Sequence, residues 1–265
     1  EAVSDNYYSE SGFTTETKNF SGYTLNSGVY NMYSNREMRF YASVGFNEAI
    51  WPCLSSTENN NHVAMYYNGA EDGRSAASDP LNYPVTGYAI KKFVHPQDAF
   101  VGPGNRRVDK VYPIIRYAEI LLSYAEALNN LTSTHNINLA GKTYTVSRDI
   151  NEIRKSFNMV RYRAGLPGLS STQLNDTEYL QKAIERERMV EFLWENRRYY
   201  DVRRWGIYEE TEREPIMGMN IDGGKSSFYQ RVIPSTSQIR GRLVDKKLVF
   251  VPIPRSELRR LPSLD

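Results

Sequence analysis

The sequence predicts a mostly α-helical protein of paired helices, preceded by a long loop-rich, aromatic-rich region with a few short strands. Two observations predict the helices. The stretch 183–206 is rich in Glu, Arg, Leu and Met, which are good helix formers, and apolar residues recur at helical spacing in 113–129. Residues 1–111 instead are dense in Ser, Asn, Gly and Thr, and their aromatic residues follow no helical period. We therefore divide the chain into a loop-rich, ligand-facing region, 1–111, and a helical region, 112–265.

The composition excludes several classes of function. The 265 residues include 33 basic and 31 acidic side chains, so the formal net charge is only +2. This near balance gives no broad positive field, and no nucleic-acid partner is predicted. No segment approaches the ~18 apolar residues of a membrane-spanning helix. Cys53 is the single cysteine, which excludes a disulfide framework.

The loop-rich region contains two candidate strands, 38–44 (MRFYASV) and 63–67 (VAMYY), because both are short and rich in β-branched or aromatic residues. Turns are predicted at Asp72-Gly73 and at Asp79-Pro80. A third short strand is predicted at 247–251, after an irregular stretch that follows Gly206.

Three helices are predicted in the helical region. The first, 113–129, has a face of larger apolar residues and a second face of smaller ones; the larger are Tyr117, Ile120, Leu121, Tyr124 and Leu128, and the smaller are Ala118, Leu122 and Ala125. The second, about 148–164, has Ser147 as its expected N-cap and follows a loop that runs to about 146. Asn175 and Glu178 resemble a capping box that opens the third and longest helix, which includes 183–206.

The longest helix is predicted to be buried, because apolar residues cover most of its circumference. Glu187, Glu191 and Glu195 are spaced so that they share one face. They could form a catalytic or metal-binding acid cluster, but an internal ion network is the stronger interpretation. In that network Arg188 and Arg198 neutralise the glutamates. Arg197 and Arg204 are additionally within reach of Asp201.

Catalytic and metal-binding motifs are weak. The three histidines, His62, His95 and His135, fall in expected loops and form no HExxH motif, and no Gly-x-Ser-x-Gly elbow is present. The turns 71–73 and 222–224 could supply oxygen ligands to calcium, but their composition is typical of turns, so no cofactor is predicted. A glycosidase needs one carboxyl group with a raised pKa, whereas arginines flank the carboxylates of the long helix.

The aromatic residues outside the helices remain as candidates for binding. Tyr and Trp combine a flat apolar face with a polar group, so on a rigid loop they can stack against a sugar ring. The alternative is that most of these rings pack the loops onto the helices. Trp51 is the first candidate, followed by Tyr7, Tyr8, Tyr23, Tyr30, Tyr33, Tyr66 and Tyr67.

Four stretches, in order, resemble the SusD/RagB family of outer-membrane nutrient-binding lipoproteins from Bacteroidetes. The longest helix resembles the family's C-terminal signature helix. The stretch 112–129 (YPIIRYAEILLSYAEALN) resembles its RYAE-LL-YAEA helix. Residues 153–166, which end in RAGL, and 251–257 (VPIPRSE) resemble its IR-RAGL segment and its terminal PIP-E turn. Residues 36–41 (REMRFY) with Trp51 are a weaker match to a DPR block, because the Asp-Pro is missing.

The resemblance implies a tetratricopeptide-like helical scaffold, which the helix spacing alone supports only weakly. It also implies a surface-exposed outer-membrane protein that binds glycans without catalysis and delivers them to a SusC-like TonB-dependent transporter. Family members are longer, so we expect the chain to form one domain with a missing N-terminal part that bears a signal peptide and the lipid anchor. Three alternatives remain open: a peptide-binding member of the same family, a glycoside hydrolase with loop carboxylates, and a scaffold whose aromatic residues are all structural.

Overall fold

The computed structural model describes residues 23–25, 28–51, 62–75, 83–99, 106–235, 239 and 243–250. Four features singled out in the sequence lie outside these residues: Tyr7, Tyr8, Cys53 and the terminal turn at 251–257.

Seven α-helices and eight short strands lie within the described residues. The helices are α1 (Met38–Ser43), α2 (Tyr117–Asn129), α3 (Ile150–Arg163), α4 (Ser171–Asn175), α5 (Thr177–Glu191), α6 (Arg197–Arg204) and α7 (Tyr208–Arg213). The strands are β1 (Val44–Gly45), β2 (Ile50–Trp51), β3 (His62–Val63), β4 (Ala89–Ile90), β5 (His135–Leu139), β6 (Lys142–Val146), β7 (Gly218–Met219) and β8 (Arg231–Val232). They form four antiparallel pairs, β1–β4, β2–β3, β5–β6 and β7–β8. The prediction of a mostly α-helical fold is confirmed.

Helices α2, α3 and α5 pack against one another around a core of apolar side chains. Leu122 and Ala125 of α2, Phe157 of α3 and Ile184 of α5 are completely buried there. In α2 the smaller-residue face is the buried one, whereas Tyr117, Ile120 and Tyr124 are exposed. Small side chains let the helix axes approach closely, which explains why that face meets α3 and α5.

The helix N-termini use different caps from those expected. Asp149, not Ser147, caps α3 by accepting hydrogen bonds from the backbone N–H groups of Asn151 and Glu152. The capping box belongs to Ser170 and Gln173 and opens the short helix α4. Asp176 then caps α5. In each case the carboxylate or hydroxyl group satisfies backbone donors that have no partner inside the helix.

The predicted continuous helix through 183–206 is interrupted, which corrects the sequence interpretation. Helix α5 ends at Glu191, and Trp194 and Asn196 both take the left-handed conformation, with φ of 61°, before α6 begins at Arg197. Two further residues of the segment, Tyr199 and Tyr200, are exposed. The break redirects the chain, so the segment is not apolar and buried on every side.

A second core lies in the loop-rich region and is dominated by aromatic rings. Tyr33, Tyr41 and Phe46 are completely buried, and Met219 and Phe228 from the other end of the chain join them. Packing therefore associates the β7–β8 segment with the first region. The division at residue 111 remains a proposal, with 218–229 added to the loop-rich part.

Several local predictions for the strands and loops are wrong. Residues 38–43 form a helix because the Tyr41 hydroxyl folds back to donate a hydrogen bond to the Tyr33 carbonyl oxygen at 2.7 Å and accepts one from the Arg36 N–H group at 3.0 Å. Only Val63 of the predicted strand 63–67 lies in β3. The loop to 146 contains the exposed hairpin β5–β6, and the stretch after Gly206 contains α7, β7 and β8. Residues 246–249 form a 3₁₀ helix instead of a strand. None of the described helices is long and apolar enough to cross a membrane.

Candidate functional site

The three glutamates of α5 and its C-terminal turn, Glu187, Glu191 and Glu195, are buried and form the centre of an ion network. Each carboxylate contacts at least two cationic side chains from distant segments. The pairs are Arg39–Glu187 at 2.7 Å, Arg161–Glu187 at 3.3 Å, Arg39–Glu191 at 3.0 Å, Arg116–Glu191 at 2.8 Å, Arg163–Glu191 at 2.5 Å, Arg116–Glu195 at 2.8 Å and Lys92–Glu195 at 2.5 Å.

These partners differ from those that the sequence suggested, because helical spacing shows only neighbours on the same helix. Arg188 instead pairs with Asp201, through bonds of 2.9 and 3.0 Å. Arg204 also pairs with Asp201, at 2.8 Å, as its spacing predicts, but Arg197 pairs with Glu119. Arg198 lines a shallow cleft of about 210 Å³ on the outer side of α5.

The ion network is unsuited to acid catalysis. Burial raises the pKa of Glu191, but hydrogen bonds from Arg116 and Arg163 outweigh it and hold the pKa below its ordinary value. The pKa of Glu195 is lowered in the same way, against burial, by hydrogen bonds from Arg116 and Lys92. Both side chains stay ionised near neutral pH, whereas a catalytic acid must hold a proton. The network joins α1 and the segment around Lys92 to α5, which is a structural role.

Most of the aromatic residues proposed as a platform pack in or against the loop-rich core. Tyr33 and Tyr66 are buried, so neither offers a ring face to a ligand. Tyr23 stacks on Tyr41 with 4.2 Å between ring centroids, and Tyr30 stacks on Tyr229 at 4.0 Å. One face of each of these two rings is therefore already covered.

Trp51 and Tyr67 are half-buried and remain partly accessible. The Trp51 ring lies against Gly45, where no side chain separates it from β1. Tyr67 lies at the edge of the same core and donates a hydrogen bond to the Met65 sulfur at 3.7 Å. Of the two, Tyr67 leads directly into an exposed polar turn.

That turn contributes to what we call the loop surface, defined by Tyr67, Asn68, Arg74, Tyr83 and Asp222. Arg74 donates to the Asp222 carboxylate at 2.6 Å, and its guanidinium group lies 5.5 Å from the Tyr83 ring centroid. The hydrogen bond and charge of Asp222 raise the pKa of Arg74. Side-chain exposure is 44% for Arg74 and 52% for Asp222, so both remain available to a ligand.

Two tight turns hold the loop surface. In the first, the Asp72 carboxylate accepts the Met65 N–H at 2.9 Å and hydrogen bonds with the His62 ring at 2.8 Å. A Cβ at Gly73 would overlap the Tyr67 carbonyl oxygen, so the close approach there requires glycine.

The second turn follows β7 and is closed by a bond of 3.0 Å from the Gly223 N–H to the Asn220 carbonyl oxygen. The buried side chains of Ile221 and Phe228 fasten it to the aromatic core. Asn68 joins the two turns, because its backbone N–H donates to the Gly223 carbonyl oxygen at 2.9 Å and its side chain to the Asp222 carbonyl oxygen at 3.3 Å.

The loop surface combines ring faces with amide, carboxylate and guanidinium groups, the combination that holds a sugar by stacking and by hydrogen bonds to its hydroxyl groups. Among the described residues, no group of three or more His, Cys, Asp or Glu side chains could hold a metal ion. Asp72 and Asp222 are used in turn and ion-pair contacts.

Sequence reasoning named Tyr67 but missed Asn68, Arg74, Tyr83 and Asp222 as site residues. The Asp72-Gly73 and Asp222-Gly223 pairs did mark both turns. Arg74 and Asp222 are 148 positions apart in the chain, and neither periodicity nor spacing brings them together.

Comparison with known proteins identifies a family. The family model described as the SusD family matches residues 1–265. A SusD-like protein from Bacteroides fragilis, BF3747, is 25% identical, with a TM-score of 0.64 over 91% of this chain. A second solved structure, BT4246, is 22% identical, with a TM-score of 0.68 over 94% of this chain, and shows a similar fold. The chain spans only 42% and 39% of the lengths of these two structures. No curated protein matches the chain.

Proposed function

Because the chain belongs to the SusD family, we propose that it is part of a surface-exposed protein that binds glycans for nutrient uptake and does no covalent chemistry. Family membership suggests this class of function. The loop surface carries the proposal for this chain, because Arg74, held between Asp222 and the Tyr83 ring, presents a polar group beside an aromatic face. Two short turns fix both groups on a packed core, so little conformational entropy is lost on binding.

The absence of catalysis is part of the proposal. In the ion network of α5, the pKa values of Glu191 and Glu195 are lowered, which opposes proton donation. On the loop surface, Asp222 is paired with Arg74 at 2.6 Å. A glycoside hydrolase needs two carboxyl groups of which one has a raised pKa. The described carboxylates discussed here favour binding over hydrolysis.

The remaining parts of the proposal rest on the family. The glycan would pass to a SusC-like TonB-dependent transporter in the outer membrane, with the protein held at the cell surface by a lipid anchor outside these residues. A peptide-binding function is the second candidate, because the ion pair and amide group of the loop surface could equally bind a peptide backbone. The two candidates differ in their ligand, so one binding panel distinguishes them.

The test is affinity electrophoresis of the full-length protein in gels that contain soluble plant, host or microbial polysaccharides. We expect at least one polysaccharide to retard the protein. Tyr83→Ala and Arg74→Ala should each abolish or strongly reduce the retardation, by an amount equivalent to about 2 kcal/mol if these residues are hot spots.

Tyr144→Ala is the matched control, because Tyr144 is an exposed tyrosine on the β5–β6 hairpin, away from the loop surface. It should leave the retardation unchanged. Retardation that persists in Tyr83→Ala and Arg74→Ala would place the glycan elsewhere. No retardation with any polysaccharide, combined with binding to a peptide library, would favour the peptide function.

A further inference from the structure

Helix α2 has an outer face that is apolar and open. We define the outer face of α2 as Ile114, Ile115, Tyr117, Ile120 and Tyr124, which are 79%, 66%, 67%, 55% and 45% exposed. The last three lie at i, i+3 and i+7 and so share one side of the helix. A run of large apolar side chains this exposed commonly marks an interface.

The charges of α2 do not make this face soluble. The helix contains two charged residues, and both turn toward α6: Glu119 pairs with Arg197 at 2.9 Å, while Glu126 pairs with Arg204 and accepts the Trp205 indole N–H at 2.7 Å. The exposed positions between the large residues include Ser123 and Ala127, which are small. Small residues between large ones let another helix pack closely.

The opposite side of α2 is already packed. Ala118, Leu122 and Ala125 face the core that α2 shares with α3 and α5. A helix with two apolar sides is typical of an internal position in a stack, whereas a surface helix carries charged residues on its outer side. Helix α3 shows that contrast, because its outer positions include the exposed Asn151 and Lys155.

The apolar surface continues beyond the outer face of α2. Val111 is 93% exposed, and the Tyr112 ring lies 6.1 Å from that of Phe93. Val111 and Phe93 line a cleft of about 480 Å³ together with Met38 and Pro113. The combined surface is therefore wider than the contact stripe of one isolated helix.

We propose that the outer face of α2 is the docking surface for an amphipathic helical segment of the same polypeptide that lies outside residues 1–265. The lengths of the similar structures support this occupant, since the chain covers 91% and 94% of itself but only 42% and 39% of theirs. The segment extends the α2–α3 stack by one helix layer. Its contact side is apolar and uncharged, to match a face whose two neighbouring carboxylates are already paired.

The test is hydroxyl-radical footprinting of the full-length protein, read by mass spectrometry at individual tyrosines. Two pairs of tyrosines with similar exposure in this structure give internal controls: Tyr117 (67%) with Tyr162 (63%), and Tyr124 (45%) with Tyr144 (48%). The proposal predicts that Tyr117 and Tyr124 react several-fold more slowly than Tyr162 and Tyr144. Equal rates within both pairs would overturn it.

Photo-cross-linking identifies the occupant. With p-benzoylphenylalanine in place of Tyr124, the proposal predicts an intramolecular cross-link to a peptide outside residues 1–265. A cross-linked band of twice the mass would show that a second copy covers the face and would overturn the proposal. A gene that encodes no further residues would also overturn it. Wild-type footprinting keeps the test valid if the substitution impairs folding.

Discussion

Arg39 of α1 and Glu187 of α5 lie 2.7 Å apart although 148 residues separate them in the chain. The same guanidinium group reaches Glu191 at 3.0 Å and Glu37 at 2.9 Å. Burial opposes its charge, but the charge of Glu187 and the hydrogen bonds that it makes raise the pKa of Arg39. One side chain thus joins the loop-rich region to the helical region.

Arg39→Met should destabilise the protein by about 3 kcal/mol, because it leaves buried carboxylates with fewer partners. Urea unfolding would measure the loss. Lys155→Met is the matched control, since Lys155 is 70% exposed and lies 3.9 Å from Glu152. Its effect should stay within about 0.5 kcal/mol. Equal stability of the two variants would mean that Arg39 is not important for holding the two regions together.

Stability should fall in acid because of Glu191 and Glu195. Their pKa values in the folded protein lie below the ordinary value of about 4.3. Ionisation therefore stabilises the fold above that value, and the contribution is lost as the pH falls through the lowered pKa values. Urea midpoints measured from about pH 7 to about pH 3 would show the decline.

Arg116→Met should move this decline to higher pH, because both carboxylates lose a hydrogen-bond donor. Arg213→Met is the control, as Arg213 is 64% exposed and pairs only within α7 at 3.4 Å among the printed contacts of the described residues. The same pH profile for both variants would show that Arg116 does not set the pKa values of Glu191 and Glu195.

Gly45→Ala should destabilise the loop-rich core by about 1–3 kcal/mol, because the added methyl group overlaps the Trp51 ring. Thermal unfolding would measure the effect. Gly224→Ala is the control, since a Cβ there meets nothing within 4 Å. A neutral Gly45→Ala would indicate that Trp51 moves freely, which would return it to the candidate ligand-binding residues.

Asn196→Ala should cost about 1 kcal/mol, because Asn196 has a φ of 61° and asparagine tolerates the left-handed conformation better than alanine. Asn196→Gly should be neutral or slightly stabilising, since glycine adopts this conformation without steric cost. Denaturant unfolding of both variants tests the pair. If the alanine variant is as stable as the glycine variant, the break between α5 and α6 does not depend on residue 196.

The sequence predicted the helical core through local rules. Periodicity located α2, α3 and α5, because a helix shows one face to the core at a fixed spacing. The capping predictions missed by one or two positions at α3 and α5, since Ser147, Asp149, Asn175 and Asp176 are all plausible caps and the backbone selects among them. The ordered motifs also indicated the family.

Only the tertiary structure determined which groups meet. It chose the small-residue face of α2 as the buried one and left Tyr117 and Tyr124 outside. It paired Arg39 with Glu187 and brought Arg74 to Asp222, each across 148 positions. Spacing along a chain describes contacts within one helix or strand, whereas these contacts depend on how separate elements pack. The fold class was therefore readable from the sequence, and the ion network and the loop surface were not.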